Sequence, residues 1–206
     1  MPPRRSARLR LGTFLILAAL GLTLLAPGFL ISPGWAAAPP AKPLIPKTGD
    51  PAWDGFVALQ TRWLRQLHDL ILNQRPDFKG IADLSLRWRT EQMRLDTLKF
   101  RFLLSHHAAA IQRDKGLPAF LRLEWFPDYT AALEKSGPIF ARQEKKAGAL
   151  KEKVKTHPQW QALQDYLKEL QKSPEHKPQF DRFIAEMNKV QKILARTAAE
   201  EMRTRQ

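Results

Sequence analysis

His106 and His107, in "LLSHHAAA", are the one adjacent pair among five histidines. Imidazole is the side chain best suited to metal ligation and to proton transfer near neutral pH. Neighbours on a helix point about 100° apart, so this pair does not face one metal ion. A carboxylate one turn away would help, but those positions hold Phe102, Leu103, Ala110 and Ile111. A di-iron bundle needs Glu-x-x-His on paired helices. The residues three before His68, His106, His107, His157 and His176 are Arg65, Leu103, Leu104, Val154 and Ser173, so none fits. The chain also lacks G-x-G-x-x-G, a Walker A loop, G-x-S-x-G and H-E-x-x-H. With no cysteine, haem attachment, thiolate zinc, iron–sulfur clusters and thiol catalysis are excluded. No catalytic residue, metal site or cofactor is therefore assigned.

Binding chemistry has more to work with. In "RWRTEQMRLDTLKFRF" the residues Arg87, Arg94 and Arg101 recur every seven, one side of a helix. Glu91 stands four after Arg87 and three before Arg94, within reach of either. Arg89 and Asp96, seven apart, are too distant to pair along the helix. "ARQEKKAGALKEKVK" places Arg142, Lys145, Lys146, Lys151, Lys153 and Lys155 against Glu144 and Glu152. Lysine is a flexible point charge and suits nonspecific attraction to an anionic partner. Gly148, inside this segment, permits close approach of another backbone. "LEWFPDY" sets Trp125, Phe126 and Tyr129 round a proline corner. Together with His106 and His107 these aromatics are the candidate wall of a small-ligand groove.

Export decides among anionic partners. The first 36 residues contain Arg4, Arg5, Arg8 and Arg10, no acid, and the apolar run "LGTFLILAALGLTLLA" ending before small residues at "GWAAA". That is the pattern of a signal peptide, or of a signal anchor left uncleaved. Either way the arginines keep the N-terminus cytoplasmic and send the remainder out, to an extracytoplasmic space such as a bacterial periplasm. Thirty basic and twenty acidic residues follow, a net +10. Such a balance draws anions. With export, the expected partners are acidic protein segments or anionic lipid, and no nucleic acid.

Residues 37–50, "AAPPAKPLIPKTGD", hold four prolines and read as an extended linker. Asp50-Pro51 is a helix start, an N-cap followed by proline. Trp53, Phe56, Trp63, Leu67, Leu70 and Ile71 then recur at helical steps until Pro76. The next helix is expected over about Ile81 to Arg113. Its main seam is Ile81, Leu84, Trp88, Leu95, Leu98 and Phe102, with a second row of Leu86, Met93 and Phe100. Two apolar sides place it at the centre of the domain. Pro127 breaks the following stretch, with Asp128 expected as a new N-cap. Ser136-Gly137-Pro138 opens the basic helix. Trp160, Leu163, Leu167 and Leu170 mark another. Phe180, Phe183, Met187, Val190, Leu194 and Met202 mark the last.

No segment alternates as strands do. The expected fold is all-α: an elongated antiparallel bundle of about five main helices plus short broken ones, one domain over residues 51–206. The chain lacks the L-T-x-x-Q repeats of small exported helical chaperones, its one Leu-Thr falling at Leu22-Thr23 in the export segment. The expected function is that of an exported noncatalytic adaptor, chaperone-like or envelope-associated binding module. The alternatives are a small-ligand-binding bundle and, third, an enzyme without a recognisable motif.

Overall fold

The computed structural model describes residues 45–123 and 126–204. The apolar export segment and Trp125 lie outside the described residues. Those described form a helical bundle with no strand. Seven α-helices follow in order: α1 (Pro51–Gln74), α2 (Lys79–His106), α3 (Leu117–Arg122), α4 (Thr130–Lys135), α5 (Pro138–Lys155), α6 (Trp160–Lys172) and α7 (Lys177–Thr204). Short 3₁₀ turns occupy Pro76–Phe78, Ala108–Ala110, Arg113–Lys115 and Phe126–Tyr129.

Local chemistry sets the helix starts. Asp50 Oδ1 accepts from the Trp53 backbone N–H at 2.8 Å, so the cap of α1 is the one its sequence predicts. Pro51 occupies a position whose N–H would have no partner in any case. Gly137 precedes Pro138 at φ +147°, a conformation open to glycine and strained for other residues. Asp128 is not the cap of α4. That position belongs to Tyr129, without a side-chain hydrogen bond, because residues 126–129 already wind as a 3₁₀ turn.

α2 packs against α1, α5 and α6 and is the central element. The pairings are antiparallel. Trp53 meets Thr97 and His68 meets Asp83 between α1 and α2. Gln143 meets Glu91 between α2 and α5, and Gly80 lies beside His157, just past the end of α5. Trp63 stacks on Phe183 between α1 and α7. α2 ends at His106, earlier than its periodicity suggests, because two 3₁₀ turns follow.

The core is aromatic at two levels. Trp53 stacks on Phe100 at 4.4 Å, and Phe120 stands edge-on to both. Trp53 Nε1 donates to Thr97 Oγ1 at 3.2 Å, so the indole is buried with its polar atom satisfied. At the second level Phe180 and Phe183 pack on Trp63. The expected seam of α2 is corrected here. Of its six residues Ile81 and Leu95 are buried, while Leu84, Trp88, Leu98 and Phe102 are half-buried. Of the second row Met93 and Phe100 are buried, Phe100 against Trp53 of α1, and Leu86 is half-buried. Met202 is a second correction: it is 57% exposed, beyond the last turn of α7 that the core covers.

Candidate functional site

The two cationic segments of the sequence meet on adjacent antiparallel helices. Glu91 of α2 joins them. Its carboxylate is buried and accepts from Gln143 Nε2 of α5 at 2.8 Å. Lys146 Nζ of α5 stands 2.9 Å from Oε1, and Arg94 Nη1 of α2 donates to the same oxygen. Burial pushes the Glu91 carboxyl up, but the bonds from Gln143 and Lys146 and the charge of Arg94 outweigh it. The net result lies below the ordinary glutamate value. Of the two arginines within reach along the helix, Arg94 takes the carboxylate.

Around this joint the other cations point outward. Arg87 and Arg101 are exposed on α2, and Arg142, Lys145, Lys151 and Lys153 on α5. None of these six has a carboxylate within ion-pair distance among the described residues. At about 100° per residue, Arg142, Lys145 and Lys153 share the Lys146 flank of α5, next to the arginine row. Lys151 lies on the other flank with Lys155, which stands 3.5 Å from Glu152. The structure thus gathers Arg87, Arg94, Arg142, Lys145, Lys146 and Lys153. Arg101 lies at the far end of the row, and Lys151 is set apart. Lys146 and Arg94 serve the joint. Gly148 approaches no other backbone: a Cβ there would meet nothing within 4 Å.

Of the expected aromatic groove, Phe126, Tyr129, His106 and His107 are among the described residues. Phe126 is buried, with Lys99 Nζ 5.2 Å from its ring centre. His107 packs on Tyr129 at 4.7 Å, and His106 stacks on Phe102 at 4.8 Å. Both imidazoles are exposed and their rings are 6.5 Å apart. This is a ladder of rings at the end of α2. Among the described residues no group of three or more His, Asp or Glu is placed to hold a metal ion.

The chain matches no family model, no curated protein and no solved structure. Function rests on the geometry alone.

Three arrangements escaped sequence reading. Arg113 is buried between Asp50 and Glu201, at 2.5 and 2.7 Å. His176 is buried, with Gln74 Nε2 donating to its Nε2 at 2.8 Å, and Tyr166 donating to Gln74 Oε1 at 2.6 Å. The third is a Ser-His-Asp grouping. His68 Nε2 is 2.7 Å from Asp83, and Ser85 and His68 line one cleft. It is not a catalytic triad. The other ring nitrogen, Nδ1, lies 3.3 Å from Asp69, so both nitrogens are engaged by carboxylates and neither can take the Ser85 proton. The first two join residues 63 to 102 positions apart and the third joins neighbouring helices, and no local spacing signals them.

Proposed function

We propose that this chain is an exported, noncatalytic helical binding module whose α2–α5 face takes an acidic segment of a partner protein. The observation that carries this reading is the uncompensated charge at the Glu91 joint. Arg87, Arg142, Lys145 and Lys153 stand exposed on two helices, and the buried acid between them is already held by Lys146 and Arg94. Fixed helices present the cations as an array, which favours an extended acidic strand over an isolated anion. Anionic lipid is the less favoured occupant. Between the α5 cations the exposed positions are Ala141, Glu144, Gly148, Ala149 and Glu152, and Ile139 is the one large apolar side chain exposed on this helix, too little to anchor it in acyl chains.

Export, and a location on the outer side of the cytoplasmic membrane, are supported by the arginines and apolar run of the first 36 residues. A fusion to a reporter active only outside the cytoplasm tests this; an inactive fusion would overturn it.

Proximity crosslinking in the intact envelope tests the binding reading. The unaltered chain should capture an acidic protein, and capture should weaken steeply with salt. Reversing Arg87, Arg142, Lys145 and Lys153 to Glu should abolish capture while helicity is kept. Undiminished capture by that variant would remove the surface from consideration. Sedimentation with phosphatidylglycerol vesicles but no protein capture would instead assign it to lipid.

A further inference from the structure

Away from the basic face, α1, α2 and α6 leave a cleft of about 50 Å³. Its walls are mostly apolar, with Leu64, Leu67 and Ile71 from α1 and Leu163 and Leu167 from α6, and the His68 imidazole of α1 also lines it. Two polar groups of α2 enter this lining, Ser85 and Arg89, four residues apart and so on one side of the helix. The Ser85 hydroxyl is buried without a hydrogen-bond partner. Arg89 is half-buried and has no carboxylate partner among the described residues. Its guanidinium lies 4.2 Å from the Trp88 ring centre, which supports the cation without neutralising it. Burial alone acts on it, pulling the guanidinium down to about 10. The nearby Asp83 does not compensate it, since that carboxylate is bonded to Lys79 and His68.

A cation and an orphaned hydroxyl at an apolar cleft specify a ligand. A buried charge without a counter-ion is costly, and a bound anion would remove that cost. A carboxylate matches the planar fork of arginine and leaves an oxygen for the serine hydroxyl. A dianionic phosphate would need more donors than these two residues supply. The size limits the rest. A water-sized group needs roughly 10–15 Å³ on this scale. The cleft, open on one side, therefore takes about three to five such groups, the head and first carbons of a short chain and not a fused ring system, with any further carbons lying along its mouth.

We infer that this cleft binds a short aliphatic carboxylate, with its head on Arg89 and Ser85 and its chain between Leu67, Leu163 and Leu167. Binding here is independent of the basic face of α2 and α5.

Titration calorimetry of the full chain with butyrate, hexanoate, octanoate and hexanol tests it. Hexanoate should bind saturably at one site, at least about tenfold more tightly than hexanol, since only the acid pairs with the guanidinium. Arg89→Gln should erase that preference, and Leu163→Trp, which fills the cleft, should abolish binding of both. Absence of saturable binding by all three acids would overturn the inference. So would equal affinity for hexanoate and hexanol in the unaltered chain, a comparison that requires no variant to fold. Retention of the acid preference by a folded Arg89→Gln chain would place the site elsewhere.

Discussion

Arg113 Nη2 lies 2.5 Å from Asp50 Oδ2, and both side chains are almost wholly buried. The two residues are 63 positions apart. Asp50 uses its other oxygen to cap α1 at Trp53, while Arg113 uses Nη1 to hold Glu201 near the end of α7. One guanidinium therefore fastens the start of the first helix, a 3₁₀ turn and the end of the last helix. Such a pair is worth less to stability than to geometry, because both charges have lost their water.

Removing one partner is a different matter from removing both. Arg113→Ala would leave the Asp50 carboxylate buried and unpaired, at an expected cost of about 3–5 kcal/mol. Glu201→Gln should cost under about 1 kcal/mol, since that side chain is 38% exposed. Urea unfolding of the two variants measures the contrast. An Arg113→Ala midpoint close to that of the unaltered chain would contradict the role assigned to the pair.

Asp96 should work against the fold at neutral pH. Burial pushes its carboxyl up to about 6 from an ordinary 3.8, with the Lys99 charge and the Gln92 bond only partly offsetting. The native state thus holds this proton more tightly than the unfolded chain does. Its contribution is fully present below about pH 3.8 and is lost as pH rises through about 6. Asp96→Asn should therefore stabilise the protein by about 1–3 kcal/mol at pH 7.5. The gain should vanish below pH 4. Stability curves of both chains across that range decide it, and a variant weaker than the parent at pH 7.5 would refute the buried-charge account.

Glu91 has the opposite sign. Its folded-state value is depressed, so its contribution is present above the ordinary value of 4.5 and is lost as pH falls below it. Glu91→Ala should cost about 1–3 kcal/mol at pH 7, because the buried carboxylate bonded by Gln143, Lys146 and Arg94 is lost, though Gln143 keeps the residue-91 carbonyl as an acceptor. Lys146, freed from the joint, would add to the exposed charge. Capture of an acidic partner should therefore strengthen even as stability falls. That divergence separates a structural joint from a contact residue, and a parallel loss of both would favour the latter.

Helix content was legible because apolar positions repeat at three and four steps and prolines and glycines punctuate them. The Asp50-Pro51 start and the Gly137-Pro138 start are cases where one or two residues determine the backbone. The face of α2 was harder. Trp88, Leu95 and Phe102 align as well on paper as Met93 and Phe100 do. Ile81 and Leu95 of one row and Met93 and Phe100 of the other are buried, so which positions are covered depends on where the neighbouring helices lie, and that is a tertiary fact. The arginine row and the lysine helix were each visible, but not their meeting, because Glu91 and Gln143 are 52 residues apart. Arg89 was seen only as too far from Asp96 to pair. Its position on an apolar cleft required α6 to be placed.

Gly148 offers a change that should help the fold and leave the binding face alone. It lies mid-way along α5, exposed, with open space where a Cβ would project. Its backbone is helical, so it gains nothing from the wider freedom of glycine and carries the entropic penalty. Gly148→Ala should add about 0.5–1 kcal/mol of stability. The urea midpoint should rise with an unchanged slope, because no new surface is buried. Gly148 lies about 160° round α5 from Lys146 and about 140° from Lys153, with Lys145 one turn away, and the added methyl removes none of these charges. Partner capture by Gly148→Ala should equal that of the unaltered chain. Reduced capture with raised stability would move the contact surface to the Gly148 side of α5, where Lys151 and Lys155 stand.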